Sequence, residues 1–250
     1  MAAPRFKDHF SRLASGYSRF RPAYPRELIE YVAGCARDHG VAVDCATGNG
    51  QAAVALAEYF ATVLAVDGSA TQLAHAQPHA RVTYVGAIAE KLPVADRSVA
   101  LIAAAQAVHW FDLPRFYSEC RRALAPDGVV AAWTYEKFRA TKAVDAVVDR
   151  FYRDVIGPYW PPERRYVDEG YRTLPFPWRE AVTPTFSLRT DWTLDQVLGY
   201  VGTWSAVLRY RDAHPSHDPL PDLARQLATH WPVAGTLGLV WPVHLRLGRA

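Results

Sequence analysis

Val43-Asp44-Cys45-Ala46-Thr47-Gly48-Asn49-Gly50, continuing into Gln51-Ala52-Ala53-Val54-Ala55-Leu56, is the stretch whose reading decides the fold. An apolar run closes in an acid, passes through small residues, and resumes as a helix former. That order predicts a strand, a tight glycine-bearing turn and a helix. Glycines at 48 and 50 give the backbone conformations closed to other residues and let a ligand approach the main chain. The unpaired N–H groups that open the next helix favour an electron-rich group there. Seventeen positions after Gly50, the run Val63-Leu64-Ala65-Val66 ends in Asp67. An acid at the tip of a second strand can accept hydrogen bonds from both hydroxyls of a ribose. Together the turn and the acid predict a site for a nucleoside-containing cofactor.

Gly48-x-Gly50-x-x-Ala53, with Asp67 beyond it, fits the dinucleotide pattern G-x-G-x-x-G/A, and an NAD-dependent oxidoreductase is one reading. Two features point elsewhere. Asp44 stands four positions ahead of Gly48, where a nicotinamide fingerprint needs no acid, and the motif starts about forty residues in, behind a helical leader. An acid near the turn suits the zwitterionic end of an amino acid. S-adenosylmethionine carries such an end and NAD does not.

Outward from the turn, the leader over residues 5–37 reads as two helices broken at Arg21-Pro22-Ala23-Tyr24-Pro25. Tyr17 and Arg21 are candidates for a lid over the cofactor, against the plainer reading of a core phenol and a surface cation. Downstream, Ser69–Gln77 predicts a helix capped by Ser69, and Val82–Val85 a strand. Val99–Ala104 is a continuous apolar run of the kind buried parallel strands show. It leads into Gln106-Ala107-Val108-His109-Trp110-Phe111, whose polar groups would sit at the carboxyl end of a central strand, beside the ligand crevice. Phe116–Leu124 predicts a helix, Pro126-Asp127-Gly128 a turn, and Val129–Trp133 the next strand. Strand and helix alternate over 41–135, which argues a parallel sheet covered on both faces.

These residues carry a resemblance. Asp44-x-Ala-x-Gly-x-Gly50, Val66-Asp67-Gly68-Ser69, Ala89-Glu90-x-Leu-Pro93, Gln106-Ala-x-His-Trp-Phe111 and Glu119-x-x-Arg-x-Leu-x-Pro-x-Gly128 occur in order. The chain resembles the class I S-adenosylmethionine-dependent methyltransferases, in particular the type 11 small-molecule branch related to trans-aconitate methyltransferases. The resemblance covers residues 5–135 well and thins beyond. It implies a doubly wound, mostly parallel, seven-stranded Rossmann-like sheet with an antiparallel last strand. It implies methyl transfer from S-adenosylmethionine, leaving S-adenosylhomocysteine, to a small-molecule acceptor. Asp44 and the turn Ala46-Thr47-Gly48-x-Gly50 would hold the methionine amine and carboxylate, and Asp67 the ribose, with Gly68 and Ser69 lining the adenosine pocket. Ala89 and Glu90 would meet the adenine through their backbone, and Gln106 and Ala107 would sit near the sulfonium. Three positions depart from the family pattern: Ala46 for a glycine, Ile88 for an aspartate, and Asp127 for a glycine.

Methyl transfer is mostly positioning and desolvation. A carboxylate acceptor needs no base, whereas an alcohol, phenol or amine does. His109 is the candidate base, with a loop-anchoring hydrogen bond as the alternative reading. No other histidine has a partner at metal-ligand spacing, so no metal is expected.

The 250 residues suit one domain: a leader over 5–40, a cofactor core over 41–136, and inserts with the last strands over 137–250. A net charge of +3 with no basic stripe argues against nucleic acid. Cys35, Cys45 and Cys120 form no CxxC pair and read as reduced thiols of a cytoplasmic protein. The N-terminus lacks an apolar core, and no apolar run is long enough to span a bilayer. Oligomeric state stays open between monomer and homodimer. Seven of the eight tryptophans lie after residue 130. Lys142–Arg153 and Thr193–Leu208 predict helices, Thr185–Trp192 a strand, and Leu237–Leu247 an antiparallel strand closing the sheet. The inserts predict a helical, aromatic cap walling the acceptor pocket. Trp110, Tyr159, Trp160 and Trp204 are candidate lining beside His109, with Arg164, Arg165 and Arg209 suited to an anionic substrate. A cofactor-binding module without catalysis is a third reading.

Overall fold

A computed structural model describes residues 22–249, so the expected lid residues Tyr17 and Arg21 lie outside the described residues. Strands β1 (Val41–Cys45), β2 (Thr62–Asp67), β3 (Val82–Gly86), β4 (Val99–Ala105), β5 (Leu124–Tyr135), β6 (Phe186–Trp192) and β7 (Leu237–Arg249) form one sheet. Its order is β3-β2-β1-β4-β5-β7-β6. The first five strands run parallel, and β7 is antiparallel to both neighbours. Connections from β1 wind one way through β2 and β3 and the other way through β4 and β5. The switch point therefore lies between the carboxyl ends of β1 and β4, where such sheets bind ligands.

Side chains alternate across the sheet into two buried layers. Ala42 of β1, Leu101 and Ala103 of β4, and Val129, Ala131 and Trp133 of β5 face one layer. Val43, Cys45, Ile102, Ala104, Val130 and Ala132 face the other. The first layer is covered by α1 (Arg26–Gly34), which buries Leu28, Ile29, Val32 and Ala33, and by α2 (Gln51–Leu56). The second expected leader helix thus packs as a layer of the fold. The opposite layer is covered by α4 (Leu113–Ala123), which buries Phe116, Tyr117, Cys120 and Ala123. Between β2 and β3 lies α3 (Ala70–Ala74), shorter than Ser69–Gln77, with the Ser69 hydroxyl accepting from Gln72 N–H.

Three expectations are corrected beyond β4. Pro126-Asp127-Gly128 is no separate turn: it lies inside β5, where pairing with β4 shifts register between Val99 and Leu101 and Asp127 takes φ 64°. Lys142–Arg153 is helical only as α5 (Lys142–Arg150), and Phe151–Val155 widens into a π turn. Thr193–Leu208 is two helices, α7 (Leu194–Gly202) and α8 (Ser205–Ala213). The break falls at Thr203, whose hydroxyl donates to the Tyr200 carbonyl, and at Trp204, which leaves the helical conformation and is buried on Tyr200, Tyr152 and Trp160. Burial of one indole outweighs continuation of the ladder. A short helix α6 (Arg164–Asp168) and α9 (Leu220–Ala228) complete the cap.

Candidate active site

The turn after β1 is built from backbone conformation. Ala46, Gly48 and Gly50 all adopt positive φ, at 53°, 58° and 86°. Alanine at 46 therefore holds a left-handed conformation that costs a non-glycine residue roughly 1–2 kcal/mol. At Gly50 a Cβ would lie 2.1 Å from the Tyr84 hydroxyl, itself tied to the Gln77 carbonyl, so only glycine fits. At Gly48 a Cβ would enter nearly open space, with Gln72 Oε1 nearest at 3.9 Å. Gly48 serves conformation and close approach; Gly50 serves packing.

Asp67 is held from both sides. Gly48 N–H donates to Oδ2 at 2.9 Å and Ser69 N–H to Oδ1 at 2.8 Å, which fixes the carboxylate in the wall of a large cavity. That cavity, ≈ 460 Å³, opens at the switch point. Ala46, Thr47, Gly48, Gly68, Ser69, Ala89, Glu90, Gln106 and Ala107 all line it with Asp67; Gly50 does not, lying one turn behind. The sequence reading missed Tyr24, Asn49, Gln72, Phe111 and Tyr135, which also line it. Tyr135 was hidden because the strand was expected to stop at Trp133. Ile88 lines the cavity where an acid was the family norm.

Asp44 stands behind this wall rather than in it. It faces the layer of α2, fully buried, and accepts from the Thr47 hydroxyl at 2.6 Å through Oδ2. Oδ1 has no hydrogen-bond partner. Burial, and secondarily the neighbouring Asp67 charge, raises its pKa to about 7. The carboxylate that reaches the cavity is Asp67, whose tethered oxygens fit a ligand carrying a vicinal diol, while Asp44 adds a buried, titratable charge behind the turn.

The Glu119 and Arg122 residues of the fifth motif are structural. Glu119 accepts from Leu92 N–H at 2.6 Å, and Arg122 pairs with Glu119 while donating to the Val94 and Leu92 carbonyls. This network fastens the 87–94 loop against α4. The Glu90 side chain is occupied likewise, accepting from Asp112 N–H at 2.8 Å.

A second, smaller cavity of ≈ 70 Å³ lies on the cap side, and Gln106, Trp110 and Tyr135 belong to both walls. Gln106 holds φ 57°, donates through Nε2 to the Tyr135 carbonyl at 3.2 Å, and accepts from the Thr134 hydroxyl at 2.6 Å. His109, Trp160, Arg164 and Trp204 line this second space. Tyr159 does not: its ring packs on Tyr210 and His214. Arg165 is drawn away onto Tyr166, and Arg209 is in neither wall. Arg164 stacks over Trp160 at 4.5 Å, and its Nε donates to the Tyr152 hydroxyl at 2.7 Å and Asp168 at 3.1 Å. Arg164 thus brings its guanidinium to the wall of the smaller cavity.

His109 touches the small cavity, yet protein packs closely enough around the ring that burial, helped by the Arg164 charge, lowers its pKa to about 3. The imidazole is neutral at physiological pH. Its Nδ1 lies 2.8 Å from the hydroxyl of Tyr171, a fully buried residue absent from the sequence reading. Gly170 and Tyr171 both adopt positive φ, and Arg246 donates to the Tyr171 and Leu174 carbonyls, fixing this segment. Among the described residues no group of three metal-ligating side chains occurs, and no helix is long and apolar enough to cross a membrane.

The family profile described as a methyltransferase domain matches residues 43–132. A Dictyostelium discoideum protein named as a methyltransferase is 34% identical over 227 residues, covering 89% of this chain and 86% of its own. A Saccharomyces cerevisiae protein named as an S-adenosylmethionine-dependent methyltransferase is 24% identical over 247 residues, covering 83% and 84%. A solved structure named as a type II methyltransferase from Anaeromyxobacter dehalogenans has 45% identity and a TM-score of 0.86, covering 92% of this chain and 98% of its own.

Proposed function

We propose that this chain, which belongs to the class I S-adenosylmethionine-dependent methyltransferases, transfers a methyl group to a small carboxylated acceptor held in the cap-side cavity. The carrying observation is the pair of cavities divided by Gln106, Trp110 and Tyr135: a nucleoside-sized space on one side, a cation-bearing space on the other. Asp67 would hold the ribose hydroxyls with its tethered oxygens, and the Ala46–Gly48 turn would receive the methionine end. Asp44 would act on the ligand ammonium through its charge, from behind Thr47. Bound there, S-adenosylmethionine supplies an electrophilic methyl on sulfur. Gln106, clamped by Thr134 and the Tyr135 carbonyl, would hold the boundary between the two cavities in a fixed shape.

On the acceptor side, the Arg164 guanidinium in the cavity wall suits the planar fork of a carboxylate. Trp160 and Trp204 would exclude water around it, which strengthens that pairing. A neutral His109 is a poor proton acceptor for an alcohol, and this favours an acceptor that attacks as an anion already. Isothermal titration with S-adenosylhomocysteine, and separately with NAD, tests the cofactor half. Micromolar binding of the first and none of the second is expected; the reverse would overturn it. Release of S-adenosylhomocysteine from S-adenosylmethionine over a set of small mono- and dicarboxylic acids tests the acceptor half.

A further inference from the structure

We propose that the cap-side cavity takes a zwitterionic acceptor, a short amino acid, with its carboxylate on Arg164 and its ammonium on Glu136. The carboxylate half rests on the reading of a carboxylated acceptor given above; the ammonium half is carried by Glu136.

Three charged side chains line this space of ≈ 70 Å³: Glu136 and Lys137, which follow β5, and Arg164 of α6. All three are largely withdrawn from water, at 25%, 19% and 22% side-chain exposure. The two cations have counter-charges outside the wall. Lys137 Nζ lies 3.2 Å from Asp149 and 5.2 Å above the Tyr152 ring, and Arg164 Nε lies 3.1 Å from Asp168. Glu136 is the one carboxylate among the described residues of the wall. Its Oε1 accepts from His244 Nε2 at 2.7 Å, the one hydrogen bond its side chain makes among the described residues. A carboxylate offers about four lone-pair sites, so one partner leaves Glu136 room for a ligand donor.

Glu136 is also held in place. His244 stands on β7, and its ring is seated so closely on Gly170, at φ 58°, that a Cβ there would lie 2.7 Å from it. A fixed carboxylate and a guanidinium thus share one small wall. A plain acid seated on Arg164 brings a second negative charge near Glu136, where little water screens the repulsion. An ammonium on the same ligand turns that repulsion into a charge-assisted hydrogen bond. The small volume keeps the two ends of the ligand close together, hence a short amino acid. His244 and Gly170 are positioning residues, acting only through Glu136.

Calorimetry on protein loaded with S-adenosylhomocysteine tests this with matched pairs: glycine against acetate, β-alanine against propionate, 4-aminobutyrate against butyrate. The amino member of at least one pair should bind about ten- to a hundredfold tighter, the range of one charge-assisted hydrogen bond. Glu136→Gln keeps an oxygen for His244 and should bring the two members of that pair together, with a melting profile on the same sample to show that it folds. Arg164→Met should weaken both members. Equal binding within every pair, tighter binding of the plain acids, or a preference that survives Glu136→Gln overturns the zwitterion and leaves the carboxylated acceptor standing. Binding of no member to the loaded protein overturns both.

Discussion

The two cavities are built in opposite ways. The larger is made of main chain: left-handed turns at Ala46, Gly48 and Gly50, backbone amides on Asp67, and the 87–90 loop fastened by Glu119 and Arg122. The smaller is made of long side chains from β5, α6 and the α7–α8 break, brought together across a hundred residues of sequence. The first demands a backbone shape, and glycines at fixed spacing satisfy it. The second demands a volume and a charge, and many combinations of aromatic and basic residues satisfy it. The larger cavity is therefore constrained residue by residue, whereas the smaller tolerates substitution that preserves its volume and charge.

The sharpest way to break this contrast is at Gly50. Gly50→Ala adds a Cβ against Tyr84 at a left-handed position and should cost about 2–4 kcal/mol of stability, from overpacking and backbone strain together. Chemical denaturation reads the loss. Adding Tyr84→Ala should return part of it, and purely additive effects would count against the packing account. Next in size, Asp67→Ala should weaken S-adenosylhomocysteine binding by roughly 1.5–3 kcal/mol. Unchanged affinity by calorimetry would remove the ribose role.

On the acceptor side, Arg164→Met should lower kcat/KM for a carboxylated acceptor by about ten- to a hundredfold, the worth of one charge-assisted hydrogen-bond pair. Cofactor affinity should stay the same, since Arg164 is not in the larger wall. An equal fall in both would mean that the cavities are not separate functions. The smallest effect is the pH response of Asp44. Its folded pKa near 7 lies above the ordinary 3.8, so the carboxyl is neutral below 7 and charged above. Affinity for the ammonium-bearing ligand should rise a few-fold as pH increases through 7, and this rise should vanish in Asp44→Asn. The same shift makes the ligand-free protein lose stability between pH 4 and 7, so Asp44→Asn should melt higher at pH 8. A flat binding profile from pH 6 to 8 would remove Asp44 from recognition.

Legibility in the sequence follows the same division. The strand–turn–helix at 41–56, the acid at 67 and the strand end at 106 were readable because apolar period, glycine spacing and acid position are local. So was the antiparallel closure by Leu237–Arg249. Tyr171 was not readable: a left-handed tyrosine after Gly170 in a proline-rich insert leaves no periodic trace, and its partner His109 lies far away in sequence. The single helix expected over 193–208 failed for a related reason, since nothing local reveals that Trp204 has an aromatic nest to fill. Asp44 was recognised by position, but its orientation depended on which sheet face it met. The pleat decides that face, and it turned the carboxylate toward α2.

The shared wall of Gln106, Trp110 and Tyr135 has a pharmacological consequence. A two-headed inhibitor, an adenosine analogue joined by a short tether to a carboxylic acid, would need to pass only Gln106, Trp110 and Tyr135 to reach both cavities. Binding both ends would cost the loss of free tumbling once instead of twice, so its potency should exceed what either fragment achieves alone. If the proposed assignment of the two cavities holds, the adenosine end would be gripped by backbone shape and the acid end by long side chains, so changes to the tether's far end should alter affinity more than changes to the nucleoside.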